Sequence, residues 1–207
     1  MIIGLDFDNT VVNYDGVFYQ AILDWGLLPP KSSQTKQSIK EFMLSRGLSD
    51  TWTKLQGYVY GALMEKAELY DGVGSFLRSC REYGIGTYII SHKTKYPVLG
   101  PEYDLHKSAL NWLKSKRLLE NRRYGLDEND IFFEHTKEEK WNKIASSGCS
   151  WFIDDLPEFL LDPKFPDEVN RILFDPMNVH ETDGEILKLT SWREIEDFVG
   201  EEVHSPV

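Results

Sequence analysis

The chain has 207 residues, enough for one full domain with room for a modest insertion. Its 41% hydrophobic and 13% aromatic content can fill a sizeable core, which excludes a disordered chain. A formal net charge of −11, with no basic run to offset it, argues against nucleic acid or an anionic membrane as partners. Cys80 and Cys149 are too few for a disulfide framework and lack metal-ligand spacing, and both sit in segments with the character of packed interior. Asp6 and Asp8 interrupt the apolar N-terminus, so no signal peptide is expected, and no apolar run approaches the ~18 residues of a membrane span. A reducing, cytoplasmic location is the default expectation.

The first strand is expected from Ile2 to Phe7. The segment from Tyr14 to Tyr70 contains no convincing strand but several helical stretches, broken at Pro29-Pro30 and Gly47. Ile39, Phe42 and Met43, and later Leu55, Tyr58, Val59 and Leu63, recur with helical spacing. This segment, 14–70, reads as a helical cap inserted into a core made of 1–13 and 71–207. The Asp71-Gly72 turn returns the chain to the core. A helix from Gly72 to Tyr83 follows, with Val73, Phe76, Leu77 and Cys80 as its apolar stripe and Gly84 as its stop. Then come a strand from Gly86 to Ile90 and a helix from Asp104 to Lys116. A strand from Ile131 to Glu134 precedes a helix opened by Thr136-Lys137-Glu138-Glu139, a capping box. Strands from Ser150 to Ile153 and Arg171 to Phe174 and a helix from Trp192 to Val199 complete the chain. Several strands are almost continuously apolar, as parallel strands covered on both faces are. The expected fold is α/β, a Rossmann-like doubly wound parallel sheet with a small all-α cap.

In such sheets ligands bind beyond the carboxyl ends of the strands. The first strand delivers Asp6-Phe7-Asp8-Asn9-Thr10 there, and the second delivers Ser91-His92-Lys93. The strand near Ile153 delivers Asp154-Asp155, and the helix before it opens with Lys137 and Lys140. Asp-x-Asp-x-Thr, the serine, the lysine and the Asp-Asp pair, in this order and at these strand ends, resemble the four motifs of the haloacid-dehalogenase superfamily. The resemblance runs from about Ile2 to Asp175, and the insertion suits the members with a helical cap between the first two motifs.

The resemblance implies chemistry that the residue types can perform. A carboxylate displaces an alcohol from a phosphate ester only if anionic repulsion is screened and the leaving oxygen is protonated. Asp6 is then the nucleophile, forming an aspartyl-phosphate, and Asp8 the general acid, later the base for water. Family members that attack carbon–chlorine bonds lack the second aspartate, so Asp8 favours phosphoryl transfer. Thr10 orients Asp8 or simply stabilises the turn. Ser91 donates to a phosphoryl oxygen, helped by the His92 amide; His92 and Lys93 face the substrate or the surface. Lys140, one turn into its helix, is the preferred counter-charge for Asp6, with Lys137 as the alternative. Mg²⁺ is the expected cofactor, held by Asp6, the Asp8 main-chain carbonyl and Asp154, with Asp155 bonding directly or through water.

The expected activity is hydrolysis of the phosphate monoester of a small phosphorylated metabolite. The same chemistry serves a phosphotransferase or mutase. A receiver domain shares the acidic cluster but has no use for the insertion, and a non-catalytic scaffold has no use for the nucleophile. Trp52, Gln56 and Tyr60 share one helical face and read first as core of the insertion, second as a surface for the leaving group.

Overall fold

The computed structural model describes residues 1–27, 35–182 and 184–204. The Pro29-Pro30 break lies outside them. The strands are β1 (Ile2–Leu5), β2 (Val12–Asn13), β3 (Glu68–Leu69), β4 (Gly86–His92), β5 (Ile131–Glu134), β6 (Trp151–Asp154), β7 (Asn170–Phe174) and β8 (Leu187–Leu189). The helices are α1 (Val17–Asp24), α2 (Lys36–Ser45), α3 (Ser49–Tyr60), α4 (Val73–Glu82), α5 (Leu105–Ser115), α6 (Asn121–Tyr124), α7 (Lys137–Ser146), α8 (Pro157–Leu160) and α9 (Trp192–His204). No helix among the described residues is long and apolar enough to cross a membrane.

Six strands form one sheet in the order β5-β4-β1-β6-β7-β8, and every neighbouring pair is parallel. All carboxyl ends therefore meet at one edge, with β1 near the middle between β4 and β6. Side chains alternate between the faces. Leu173 and Phe152 join α7 and α8 in one apolar cluster with Trp141, Ile144, Phe159 and Phe165. Phe174, one residue on, packs instead on Trp192 of α9, which also holds Phe76 of α4. Helices thus cover both faces, which makes the sheet doubly wound.

Three strands end differently from the expectation, for reasons that lie in their neighbours; one is β6, which runs one residue past Ile153 because Asp154 pairs with Leu173 of β7. β1 stops at Leu5 rather than Phe7. The Asp6 amide still donates to the Ile153 carbonyl, but the Phe7 carbonyl accepts from Val11 and Val12 and turns the chain. β4 runs two residues past Ile90, because Ser91 and His92 pair with Phe133 and Glu134 of β5. The short elements β2, β3, β8, α6 and α8 have no sequence signal strong enough to announce them.

The chain divides into two compact units. The first comprises Met1–Val12, Leu69–His92 and Arg117–Val207, and holds the sheet. The second comprises Asn13–Glu68 and Lys93–Lys116. Sequence reading assigns only 14–70 to the insertion, whereas 93–116, with α5, also pack in the second unit. The cause is visible in contacts: the Trp112 indole donates to the Ala67 carbonyl at 2.8 Å, and Gly57 of α3 leaves room for Pro97. Within this unit Trp52 stacks on Phe18 at 5.2 Å, and Tyr60 packs edge-on against Tyr14 and Phe18. Trp52 is a core side chain here, and Tyr60 is half-buried at the edge of that core.

Candidate active site

β1 carries Asp6 to the carboxyl edge of the sheet. Gly4 lets it do so, because a Cβ there would lie 2.5 Å from the Phe152 ring. Beyond Phe7 the chain doubles back in a tight loop, with Asn9 at φ 64°, a left-handed conformation that Asn tolerates better than most residues. Asp8 sits in this loop, half-buried and bridged to Val12. Thr10 is fully buried; its hydroxyl has no hydrogen-bond partner among the described residues, and its carbonyl accepts from the Trp192 indole at 3.1 Å. The expected hydroxyl bond to Asp8 or to the loop is therefore not made.

Asp6 is almost wholly buried, and two side chains converge on its Oδ1. Ser91 Oγ donates from the end of β4 at 2.9 Å, and Lys140 Nζ donates from α7 at 2.6 Å. Lys140 also donates to Asp154 Oδ2 at 2.6 Å, while the Leu156 amide donates to Asp154 Oδ1 at 2.9 Å. Lys140 is brought there by the start of α7. Thr136 accepts from the Glu139 amide, and Glu139 accepts from the Thr136 amide, so the capping box forms as its sequence pattern requires. One turn on, Lys140 points inward beside Trp141 and Ile144, whereas Lys137 is exposed.

The charges are strongly interdependent. Burial works against the Lys140 ammonium, but Asp154 and Asp6 outweigh it and hold its pKa above the ordinary lysine range. Burial pushes Asp154 up to about 6, against the pull of Lys140 and with the repulsion of Asp6. His92 is lowered, chiefly by burial, against its hydrogen bond to the His135 carbonyl. The His92 ring faces the loop after β5, where Nε2–H donates to that carbonyl at 3.1 Å. Of the three phosphate-binding candidates, Ser91, His92 and Thr10, it is Ser91 that touches Asp6. Lys93 begins the second stretch of the other unit, where it is buried with Nζ 4.8 Å from the Tyr60 ring centroid.

Asp6, Asp154 and Asp155 each present a carboxylate oxygen within 4.8 Å of the others. Asp8 adds no carboxylate to this set. Three carboxylates and one ammonium leave about two negative charges in a group that is mostly buried, which suits a divalent, oxygen-seeking cation. Sequence reasoning did not single out Phe159, whose ring lies directly against the Lys140 ammonium. As a lone aromatic in a short segment, it carried no signal beyond core.

No protein-family model and no curated protein matches the sequence. Solved structures do match in fold. The HAD-hydrolase YfnB of Bacillus subtilis bound to magnesium has TM-score 0.59 at 12% identity, over 96% of this chain and 97% of that one. A HAD-family hydrolase of Deinococcus radiodurans with bound phosphate and sodium has TM-score 0.53 at 14% identity, over 100% and 98%. A dehalogenase matches as well, with TM-score 0.58 at 13% identity, over 95% and 96%. At these identities the likeness is one of fold, and it extends over nearly the whole chain.

Proposed function

We propose that this chain, which has the fold of the haloacid-dehalogenase superfamily, is a Mg²⁺-dependent phosphohydrolase. It cleaves the phosphate monoester of a small metabolite through an aspartyl-phosphate on Asp6. The observation that carries this reading is the convergence of Ser91 and Lys140 on one oxygen of a buried Asp6, beside Asp154 and Asp155.

Asp6, aimed by its bond from Lys140, attacks phosphorus, forming an O–P bond as the bond to the leaving alkoxide breaks. Asp8 gives that alkoxide its proton, then takes a proton from the water that adds to phosphorus, which frees phosphate and restores Asp6. Ser91, whose hydroxyl donates to Asp6, is assigned the part of donor to a phosphoryl oxygen. Lys140 offsets charge that develops on the transferring group. Asp6, Asp154, Asp155 and the Asp8 carbonyl are the residues to hold Mg²⁺, which supplies Lewis-acid neutralisation of the phosphate. The dehalogenase likeness does not favour carbon–halogen cleavage for this chain, because Asp8 supplies a proton that a departing halide does not need. The second unit is assigned the part of a cap that recognises the leaving group.

The test is hydrolysis of p-nitrophenyl phosphate with Mg²⁺, with EDTA, and by Asp6→Asn. Turnover is expected only with the metal, and Asp6→Asn is expected to lose more than ~10³-fold in kcat. Metal-independent turnover, or an active Asp6→Asn protein, would sink the mechanism.

A further inference from the structure

Lys140 has three N–H donors, and two are used, on Asp6 and on Asp154. No third oxygen or nitrogen accepts from it among the described residues. The centroid of the Phe159 ring lies 4.1 Å from Nζ, with the Phe152 ring farther off at 5.2 Å. Lys140 is 3% exposed and Phe159 2%, so water has little access to this contact.

The ring is fixed from several sides. Trp141 stacks on it at 5.4 Å and 16°, Phe165 meets it edge-on at 6.0 Å, and Phe152 tilts against it at 6.2 Å. Trp141 is the neighbour of Lys140 on α7, so one helix supplies both the ammonium and a slab behind the ring. Phe159 lies on α8, whose approach from β6 is set by the Leu156 amide on Asp154. Both partners of the contact are therefore anchored to the same carboxylate.

We propose that Phe159 is a positioning residue of the site: its ring face is the third partner of the Lys140 ammonium and holds Nζ between Asp6 and Asp154. A buried N–H with no partner is costly, and an aromatic face is an electrostatic partner for a desolvated cation. It also leaves no acceptor to draw the flexible lysine stem away from the carboxylates. The inference rests on the reading of Lys140 as counter-charge to a nucleophilic Asp6. A Phe159 that only packs would pass changes in its ring's electron density to the neighbouring rings, and so to stability, and would leave kcat unchanged.

Fluorinated phenylalanines at position 159 separate the two, since fluorine drains the ring face of negative potential with little change of shape. Across Phe and its mono-, di- and trifluoro forms, log kcat for p-nitrophenyl phosphate is expected to fall stepwise, by roughly 10-fold in total. KM is expected to stay nearly constant. A flat series in an active enzyme overturns the proposal and leaves the phosphohydrolase reading intact. A second readout does not need turnover. The Lys140 ε-methylene protons, assigned by their loss in Lys140→Arg, are expected upfield through the ring current and back at ordinary positions in Phe159→Leu. An unshifted resonance in the wild-type protein overturns the proposal. A shifted resonance that still responds to fluorine, in a protein without turnover, upholds the contact and rejects the phosphohydrolase reading instead.

Discussion

Lys140 is the residue whose removal should be felt most widely. Its ammonium separates Asp6 from Asp154 in a site with little water, and burying two carboxylates without it is expensive. Lys140→Met is expected to destabilise the metal-free protein by about 3–5 kcal/mol in urea unfolding, the range for breaking a buried ion pair. Added Mg²⁺ should recover part of that loss, and catalysis should not return. Asp154 sets a pH dependence of its own. Its folded pKa of about 6 stands above the ordinary 3.8, so the native state binds this proton more tightly than the unfolded chain does. The stability it contributes is present below about pH 4 and is lost as pH rises to about 6. Metal binding runs the other way, because a cation needs the carboxylate. Divalent-cation affinity is expected to drop as pH falls through about 6, as seen in the Mg²⁺-induced shift of melting temperature at pH 5 and 7.5. An equal shift at both values would contradict the placement of Asp154 among the ligands.

At the scale of elements, β1 is the strand that the site depends on. It is four residues long, flanked by β4 and β6, and its last ladder bond is made by Asp6 itself. Gly4 faces the Phe152 ring, so a methyl group there must displace a fully buried aromatic or shift the strand. Gly4→Ala is expected to cost about 1–3 kcal/mol, the range for overpacking a core, with a lower denaturant midpoint as the measurement. It should also lower kcat, since a strand moved by a few tenths of an ångström carries Asp6 with it. Wild-type stability in this variant would mean that Phe152 relaxes freely, against the dense packing around it. The helix α7 serves the site differently. Its capping box fixes where the helix begins, and that start decides that the fourth residue after Thr136, not the first, turns inward.

At the scale of the whole molecule, the first unit encloses both thiols. Burial, and then the Glu196 charge, push the Cys80 thiol up to about 12; burial raises Cys149 as well. Neither is a ready thiolate in the folded state. Both are expected to resist a thiol reagent at pH 7.5 and to react together as the protein unfolds in urea. Rapid labelling of either in the native protein would show a local opening of α4 or of the turn before β6. The second unit, with its own aromatic cluster of Tyr14, Phe18, Trp52 and Tyr60, has the makings of an independently packed body.

The sequence alone determined the kinds of element, the parallel doubly wound sheet and the strand-end clusters that face one edge. Those readings rest on local signals: apolar runs for buried strands, helical stripes, a capping box and a motif of closely spaced aspartates. Tertiary structure decided which candidates meet. Lys137 and Lys140 look equivalent along the chain, and only the packing of α7 exposes one and buries the other. Ser91 belongs to β4 because β5 lies beside it, and residues 93–116 join the second unit through contacts with distant Ala67 and Gly57. Thr10 and His92 carry motif-like positions, yet the hydroxyl is sealed in the core and the ring is spent on a neighbouring loop. Phe159 had no signal at all, since an aromatic beside an ammonium is defined by two helices brought together. Local pattern sets what a segment becomes; long-range packing sets what each side chain faces.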